Sequence, residues 1–250
     1  MKSQFRVVAA CLPCLLTVAP SASAEDDLAK TAPYVAVMVA GDDELPVFDN
    51  ATVAVEALLR RTGAASAVAR LSAAPQDEVR AATLARVLAA IGAMRPAAGQ
   101  ACLVFATSHG VPGQGMYLSS DDEVLTPAAL DQALATGCGQ APTVVIVSSC
   151  FSGLFSRAPM VRPNRVILTA ARADRTSFGC GAGRTYTVYD HCLLDSLGHD
   201  RTWPAVFKSV RACVTAEERR EKVLASLPQA WFGAGASDLR VPGNTPLIVR

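Results

Sequence analysis

A run of apolar residues that ends in a small polar turn is the feature that most constrains this chain. The segment TVVIVSSCFSG extends from Thr143 to Gly153. Its four consecutive apolar residues, 144–147, predict a strand buried on both faces, as in parallel sheets that are covered by helices. Cys150 comes directly after this strand, so we expect its thiol at a strand end.

A second segment upstream repeats the pattern. The residues CLVFAT, from Cys102 to Thr107, predict another buried strand, which stops at Ser108, His109 and Gly110. If the two strands are parallel neighbours, His109 and Cys150 emerge at the same edge of the sheet. That edge is where open α/β sheets hold their active sites.

The chemistry of the two side chains favours such a pairing. A free thiol has a pKa of about 8.5 and is a weak nucleophile until a neighbouring imidazole accepts its proton. The backbone N–H groups of Gly110 and Cys150 could then hold the oxyanion that forms on an attacked carbonyl. A lone cysteine or a lone histidine is more often structural, whereas the two together on matching strand ends favour a Cys–His site.

The rest of the chain alternates between predicted strands and helices. This alternation predicts an α/β fold, with a mostly parallel central sheet and helices on both faces. Further strands are expected at 34–40, 65–71 and 165–170, a short hairpin arm at 116–118, and helices at about 49–61 (capped by Asp49 or Asn50), 75–95, 127–137, 190–197 and 203–220.

Composition is that of one globular domain with an aliphatic core. The 250 residues are 51% hydrophobic and 6% aromatic. Lysine and arginine number 23 against 22 acidic residues, without a long basic run, which argues against a nucleic-acid partner.

The first 24 residues predict a secretory signal peptide. Lys2 and Arg6 are basic, residues 7–18 are apolar but too short to span a bilayer, and the AxA sequence at 22–24 is a cleavage signal. A lipoprotein box at 8–11 is a weaker alternative. We therefore expect residues 25–250 to form a single periplasmic or secreted domain that is not stably inserted in a membrane.

Export to an oxidising compartment favours disulfide bonds. If Cys150 is kept free, five other cysteines remain after the signal peptide, so at least one more stays unpaired. Cys102 and Cys138 are expected to pair, because Cys102 opens one central strand and Cys138 lies just before the next, both at the sheet edge opposite the active site. Cys192 with Cys213, or either of them with Cys180, is also possible. The mature chain lacks the spacing of a zinc site.

Several motifs resemble those of one peptidase family. FATSHG (105–110) and VVIVSSCFSG (144–153) are similar to the histidine and cysteine motifs of bacterial legumain-like cysteine peptidases, which are relatives of the caspases. VILTAARADRTSFGC (166–180), Thr185 with Tyr186, and SLPQAWFG (226–233) continue the likeness. The caspase sequence around the nucleophile is absent.

This resemblance implies a caspase-like three-layer sandwich and a cysteine endopeptidase. His109 and Cys150 would be catalytic through an acyl-enzyme on protein or peptide substrates, without a metal or organic cofactor. His191 and His199 are rival bases, but both are predicted on or beside a helix away from a strand end. A third, orienting residue is not evident, and the oligomeric state is not indicated.

The resemblance also locates the pocket for the residue before the scissile bond. The family lines it with an arginine, a glutamate and an aspartate, and the matching positions here are Asp49 with neighbouring Asn50, then Ser148, then Asp190. The pocket would thus be acidic and would prefer a basic or polar residue over aspartate. The plainer interpretation makes Asp49 a helix cap and Asp190 a first-turn helix residue.

Two other functions are compatible with the same residues. The acyl-enzyme could pass to an amine instead of water, which would be transpeptidation. Alternatively, the chain is a caspase-like binding or scaffold module with little turnover, because two of the pocket positions depart from the family pattern.

Overall fold

Six strands form the central sheet of the computed structural model, which describes residues 34–75, 80–181 and 183–242. In chain order, the strands of the protein are β1 (Tyr34–Ala40), β2 (Ala65–Ser72), β3 (Ala101–Thr107), β4 (Gly110–Val111), β5 (Gly115–Leu118), β6 (Glu123–Leu125), β7 (Thr143–Ser148), β8 (Arg165–Thr169) and β9 (Gln229–Phe232). The central sheet has the order β2-β1-β3-β7-β8-β9, and β4, β5 and β6 form a small antiparallel sheet beside it.

Helices cover both faces of the central sheet. They are α1 (Val47–Thr62), α2 (Leu84–Gly92), α3 (Pro127–Gly137), α4 (Val188–His199) and α5 (Trp203–Glu221). Helices α1, α4 and α5 share one apolar cluster with the sheet, and α2 and α3 share the other. Side chains alternate between the clusters, so that Phe105 of β3 faces the first and Val104 the second. The predicted three-layer α/β architecture is confirmed.

The start of α1 differs from the prediction. Neither Asp49 nor Asn50 caps it, because the helix already begins at Val47, directly after Pro46. A proline has its φ preset near the helical value, so it starts the turn before the acidic residue is reached. Gly63 ends the helix in the left-handed conformation, as expected.

Helix α2 is shorter than its apolar periodicity predicts. It begins at Leu84, where the Thr83 hydroxyl accepts the Arg86 N–H. Just before it, the Ala82 N–H donates to the Ser72 carbonyl at 3.0 Å. This non-local bond holds Ala82 beside the end of β2. Residues 76–79 of the predicted helix lie outside the described residues.

Strand β9 was not predicted from the sequence. It pairs antiparallel with β8, through Thr169 opposite Gln229 and Val166 opposite Phe232. Four residues of partly exposed strand give little periodicity, and their hydrogen bonds go to a partner about sixty residues away in sequence. This strand therefore depends on the finished sheet.

Two cysteine pairs lie at disulfide distance in the described part of the chain. Cys102 and Cys138 have an S–S distance of 2.16 Å, at the sheet edge expected for them. Cys192 of α4 and Cys213 of α5, left open above, have an S–S distance of 2.00 Å. Cys150 and Cys180 are free thiols.

The predicted signal peptide, residues 1–24, lies outside the described residues. Within the ranges that the structure describes, no helix is long and apolar enough to cross a membrane.

The bond between α4 and α5 should contribute measurably to stability. It closes a loop with a sequence separation of 21. We expect the double variant Cys192→Ser/Cys213→Ser to lose about 3 kcal/mol of unfolding free energy in urea denaturation, because the unlinked unfolded chain has more conformations. The matched control is Cys180→Ser, which removes a free thiol. Equal stability of the double variant and the control would contradict a structural role for this bond.

Candidate active site

The candidate site lies where β3 and β7 end side by side. These strands are parallel neighbours, with Thr107 paired to Ser148. The pairing continues one residue further, because the Ser108 N–H donates to the Ser148 carbonyl at 3.1 Å. His109 and Cys150 each follow the paired residues by two positions, so the two strands deliver them level with each other.

The turn after β7 is anchored on both sides of its tip. Phe151 has φ 56°, a left-handed conformation that is uncommon outside glycine. Its N–H donates to the Arg175 carbonyl at 2.8 Å, and the Ser152 hydroxyl accepts the Ala171 N–H at 3.1 Å. The loop after β8 thus holds the turn that carries Cys150.

Gly110 lets the histidine segment lie directly against the cysteine. A Cβ atom at position 110 would lie 1.9 Å from the Cys150 carbonyl oxygen, which is closer than any side chain could fit. Gly110 is opposite Met116 in a pair that does not exchange hydrogen bonds, since the Tyr117 N–H donates to the His109 carbonyl at 3.0 Å. The Gly110 N–H therefore points away from β5.

His109 and Cys150 line the same small cleft. Phe48 of α1 also lines it and packs edge-on against the imidazole, with 5.2 Å between ring centroids. This contact was not predicted from sequence. It limits the orientations that the imidazole of His109 can take.

The thiol of Cys150 is held in its neutral form. Burial raises the pKa of Cys150, and the neighbouring Cys180 adds to this increase. The Sγ atom donates to the Ser177 carbonyl at 3.4 Å. A nucleophilic thiolate at this position therefore needs a base.

Two carboxylates lie beside the imidazole of His109. Its Nε2 atom is 3.9 Å from Asp42 Oδ1 and 3.9 Å from Glu44 Oε2. Asp42 is buried and is held by the Glu44 N–H at 2.9 Å. Two acidic side chains therefore lie on the Nε2 side of the imidazole.

The position of Asp42 beside His109 was not predicted, although the sequence contains a signal for it. The loop Asp42, Asp43, Glu44 follows β1, and β1 is parallel to β3 with Ala40 beside Thr107. Residues after the two strands must therefore meet at the same sheet edge.

Asp42, Glu44 and His109 are also candidate ligands for a cation. Among the described residues, the set Asp42, Glu44 and His109 is the one group of three whose ligand atoms all lie within 4.8 Å of one another. Two carboxylates and an imidazole are an ordinary donor set for a divalent metal.

Comparison with protein families agrees with this geometry. The model of the peptidase C13 family matches residues 94–234, which is more than half of the chain and includes both His109 and Cys150. The chain belongs to the peptidase C13 family, the legumain family. Its members are cysteine-type peptidases, which act on proteins or peptides. A comparison with curated proteins found no match.

In this C13 chain, Ser148 and Asp190 lie at the cleft or directly behind it. Ser148 lines the cleft. Asp190 is fully buried, and its Oδ2 accepts the Thr107 hydroxyl at 2.7 Å. Burial raises the pKa of Asp190 to about 6, although the hydroxyls of Ser148, Thr107 and Thr187 act in the opposite direction. Its Oδ1 has no hydrogen-bond partner among the described residues.

Asp49 lies outside the cleft lining and pairs with a residue of β2. Its carboxylate accepts from Arg70 of β2 at 2.5 Å, and it does not line the cleft. The neighbouring Asn50 amide donates to the Thr185 carbonyl at 3.1 Å. Of the two predicted pocket carboxylates, Asp190 is thus the one behind the cleft.

The rival histidines lie elsewhere. His191 and His199 are both on α4, and neither lines the cleft. His199 instead pairs with Asp195 at 3.2 Å on the exposed side of that helix.

The buried carboxyl of Asp190 should make stability depend on pH. Its folded pKa of about 6 exceeds the reference value of 3.8. The unfolded chain therefore loses its proton first as the pH rises, which destabilises the folded state between about pH 4 and pH 6. We expect Asp190→Asn to gain about 3 kcal/mol relative to the parent chain across this window, measured by urea denaturation in a Cys150→Ala background.

The matched control for this prediction is Asp195→Asn, on the exposed side of the same helix. Its stability difference from the parent chain should change little with pH. A constant difference for Asp190→Asn at both ends of the window would contradict a raised pKa.

Proposed function

We propose that this C13 family member is an exported cysteine endopeptidase that cleaves peptide bonds through a dyad of Cys150 and His109. The observation that carries the proposal is the common cleft at the level ends of β3 and β7, which contains both side chains. The predicted signal peptide at 1–24 and the two cysteine pairs support export to an oxidising compartment. Residues 25–250 would be the mature enzyme.

Catalysis begins with proton transfer within the dyad. The Nε2 atom of His109 faces Asp42 and Glu44, so Nδ1 is the nitrogen that accepts the proton of the Cys150 thiol. The resulting imidazolium is stabilised by the two carboxylates. The transfer would give a thiolate despite the burial of Cys150, which favours the neutral thiol.

The thiolate then attacks the carbonyl carbon of the scissile bond. The C–N bond breaks as His109 returns its proton to the departing amine, which leaves a thioester on Cys150. Water attacks the thioester, gives its proton to His109 and releases the acid, after which the thiol is restored.

The oxyanion of each tetrahedral intermediate needs two donors. The N–H of Gly110 points away from β5, and the Cys150 N–H lies in the turn against which Gly110 packs. These two groups would form the oxyanion hole.

Asp190 would select the residue before the scissile bond. Its unpartnered Oδ1 lies behind a cleft lined by Ser148, and above about pH 6 it carries a negative charge. A basic or polar side chain would supply the missing hydrogen bond. Asp49 would not contribute, because Arg70 already pairs with it.

Alkylation of the thiol tests the dyad. In a chain begun at Glu25 with Cys180→Ser, Cys150 is the remaining free thiol of the described residues. We expect iodoacetamide to label it near neutral pH, and His109→Ala to slow labelling about tenfold or more, because the buried thiol loses its base. The control His199→Ala changes an exposed histidine and should label at the parent rate. Labelling is measured by peptide mass mapping.

Activity completes this test. Cys150→Ala should lower peptide hydrolysis at least about a thousandfold. Equal labelling of the His109→Ala and parent chains, together with no hydrolysis of any peptide, would support a scaffold module instead. Transfer of the acyl group to an added amine in preference to water would identify a transpeptidase.

The charge of Asp190 predicts how specificity changes with pH. We expect the ratio of kcat/KM for a lysine substrate to kcat/KM for a matched alanine substrate to rise about tenfold between about pH 5 and pH 7.5, as Asp190 ionises. The ratio cancels the titration of the dyad. In Asp190→Asn it should be flat. Selectivity for aspartate at this substrate position would contradict the proposed pocket.

A further inference from the structure

We propose that Cys180 is a resolving thiol that forms a reversible disulfide bond with Cys150 when the protein meets a low-molecular-weight disulfide such as oxidised glutathione. The site is thus a covalent modification site as well as a candidate active site. The loss of activity that would follow rests on the proposed function, whereas the bond itself does not.

The first observation is where the unpaired thiols lie. Of the six cysteines in the described part of the chain, four form two pairs and two are free. Both free thiols, Cys150 and Cys180, line the same small cleft and are partly exposed. Both residues are therefore in contact with solvent.

The second observation is that the two segments already touch. The Sγ atom of Cys150 contacts the Ser177 carbonyl at 3.4 Å. Cys180 is three residues further along, and three residues span at most about 10 Å. A disulfide needs Cα atoms about 4.4–6.8 Å apart, so a local change in this segment is enough to form the bond.

The segment that carries Cys180 has backbone freedom for such a change. Glycines flank the cysteine at positions 179 and 181, and Gly179 adopts φ +93°. Glycine passes between backbone regions that other residues avoid. The side chain of Cys180 packs against the small cluster of Ala40, Val47 and Phe48, so it already faces the protein interior near the site.

The reaction proceeds by two thiol–disulfide exchanges. The Cys150 thiolate attacks one sulfur of oxidised glutathione, forms a mixed disulfide and releases one glutathione thiolate. The Cys180 thiolate then attacks the Cys150 sulfur and releases the second glutathione. The two protein thiols are oxidised to one disulfide, and oxidised glutathione is reduced to two thiols, which take up the two protons that the protein thiols lose. A dithiol reductant reverses the reaction.

Such a bond would block Cys150 reversibly. The sulfur of Cys150 would be unavailable for acyl transfer and would be protected from oxidation to the sulfinic acid, which is not readily reversed. Reduction would restore the thiol.

The experiment uses the chain begun at Glu25 and intact mass spectrometry without reductant. After incubation with oxidised glutathione, we expect the parent chain to lose two hydrogen atoms, to retain no glutathione and to give a linked peptide that contains Cys150 and Cys180. Cys180→Ser should instead retain one glutathione on Cys150, because nothing resolves the mixed disulfide. Cys150→Ser is the matched control and should give no new intramolecular link.

Retention of glutathione on Cys150 in the parent chain, as in Cys180→Ser, would overturn the proposal. A linked peptide that joins Cys180 to a residue other than Cys150 would overturn it as well. Formation of the Cys150–Cys180 link in a chain that hydrolyses no peptide would uphold the bond and reject the peptidase function, so the two can fail separately.

Discussion

The parallel pairing of β3 with β7 is the constraint on which the site depends. All seven residues of β3 and all six of β7 are buried, and their side chains alternate between the two apolar clusters. A slip of one residue would exchange the faces of every side chain, so the register is strongly determined. Because Thr107 lies beside Ser148, the residues that follow the two strands lie close together.

Two electrostatic features characterise the ends of these strands, where Cys150 and His109 lie. Burial raises the pKa of Cys150 and favours the neutral thiol. The carboxylates of Asp42 and Glu44 each lie 3.9 Å from the Nε2 atom of His109. In the proposed mechanism, burial would oppose proton transfer from sulfur to imidazole, and the carboxylates would assist it. Substrate binding, which excludes water, would strengthen the attraction between the resulting charges.

Local sequence patterns predict much of this arrangement. The features that the sequence did not predict depend on contacts between distant segments. Continuous apolar runs predict buried strands, and the segments 102–107 and 144–147 are such runs. Strand β9 was missed, because it is stabilised by hydrogen bonds to β8 rather than by its own sequence. The family resemblance predicts Asp49 in the pocket, but in the structure its carboxylate pairs with Arg70 on β2. No local sequence pattern distinguishes a carboxylate in the pocket from one that pairs with an arginine on a neighbouring strand.

The sequence by itself determined the class of fold, the edge of the sheet that would carry the site and the pair of residues to expect there, because apolar periodicity and strand-end chemistry are local properties. It also required that a second cysteine besides Cys150 stay unpaired, since five cannot pair completely. Only the tertiary structure decided that this cysteine is Cys180, in the same cleft, and that Asp42 lies beside His109. Those are distances between segments that are far apart in the chain, and only the packed sheet determines them.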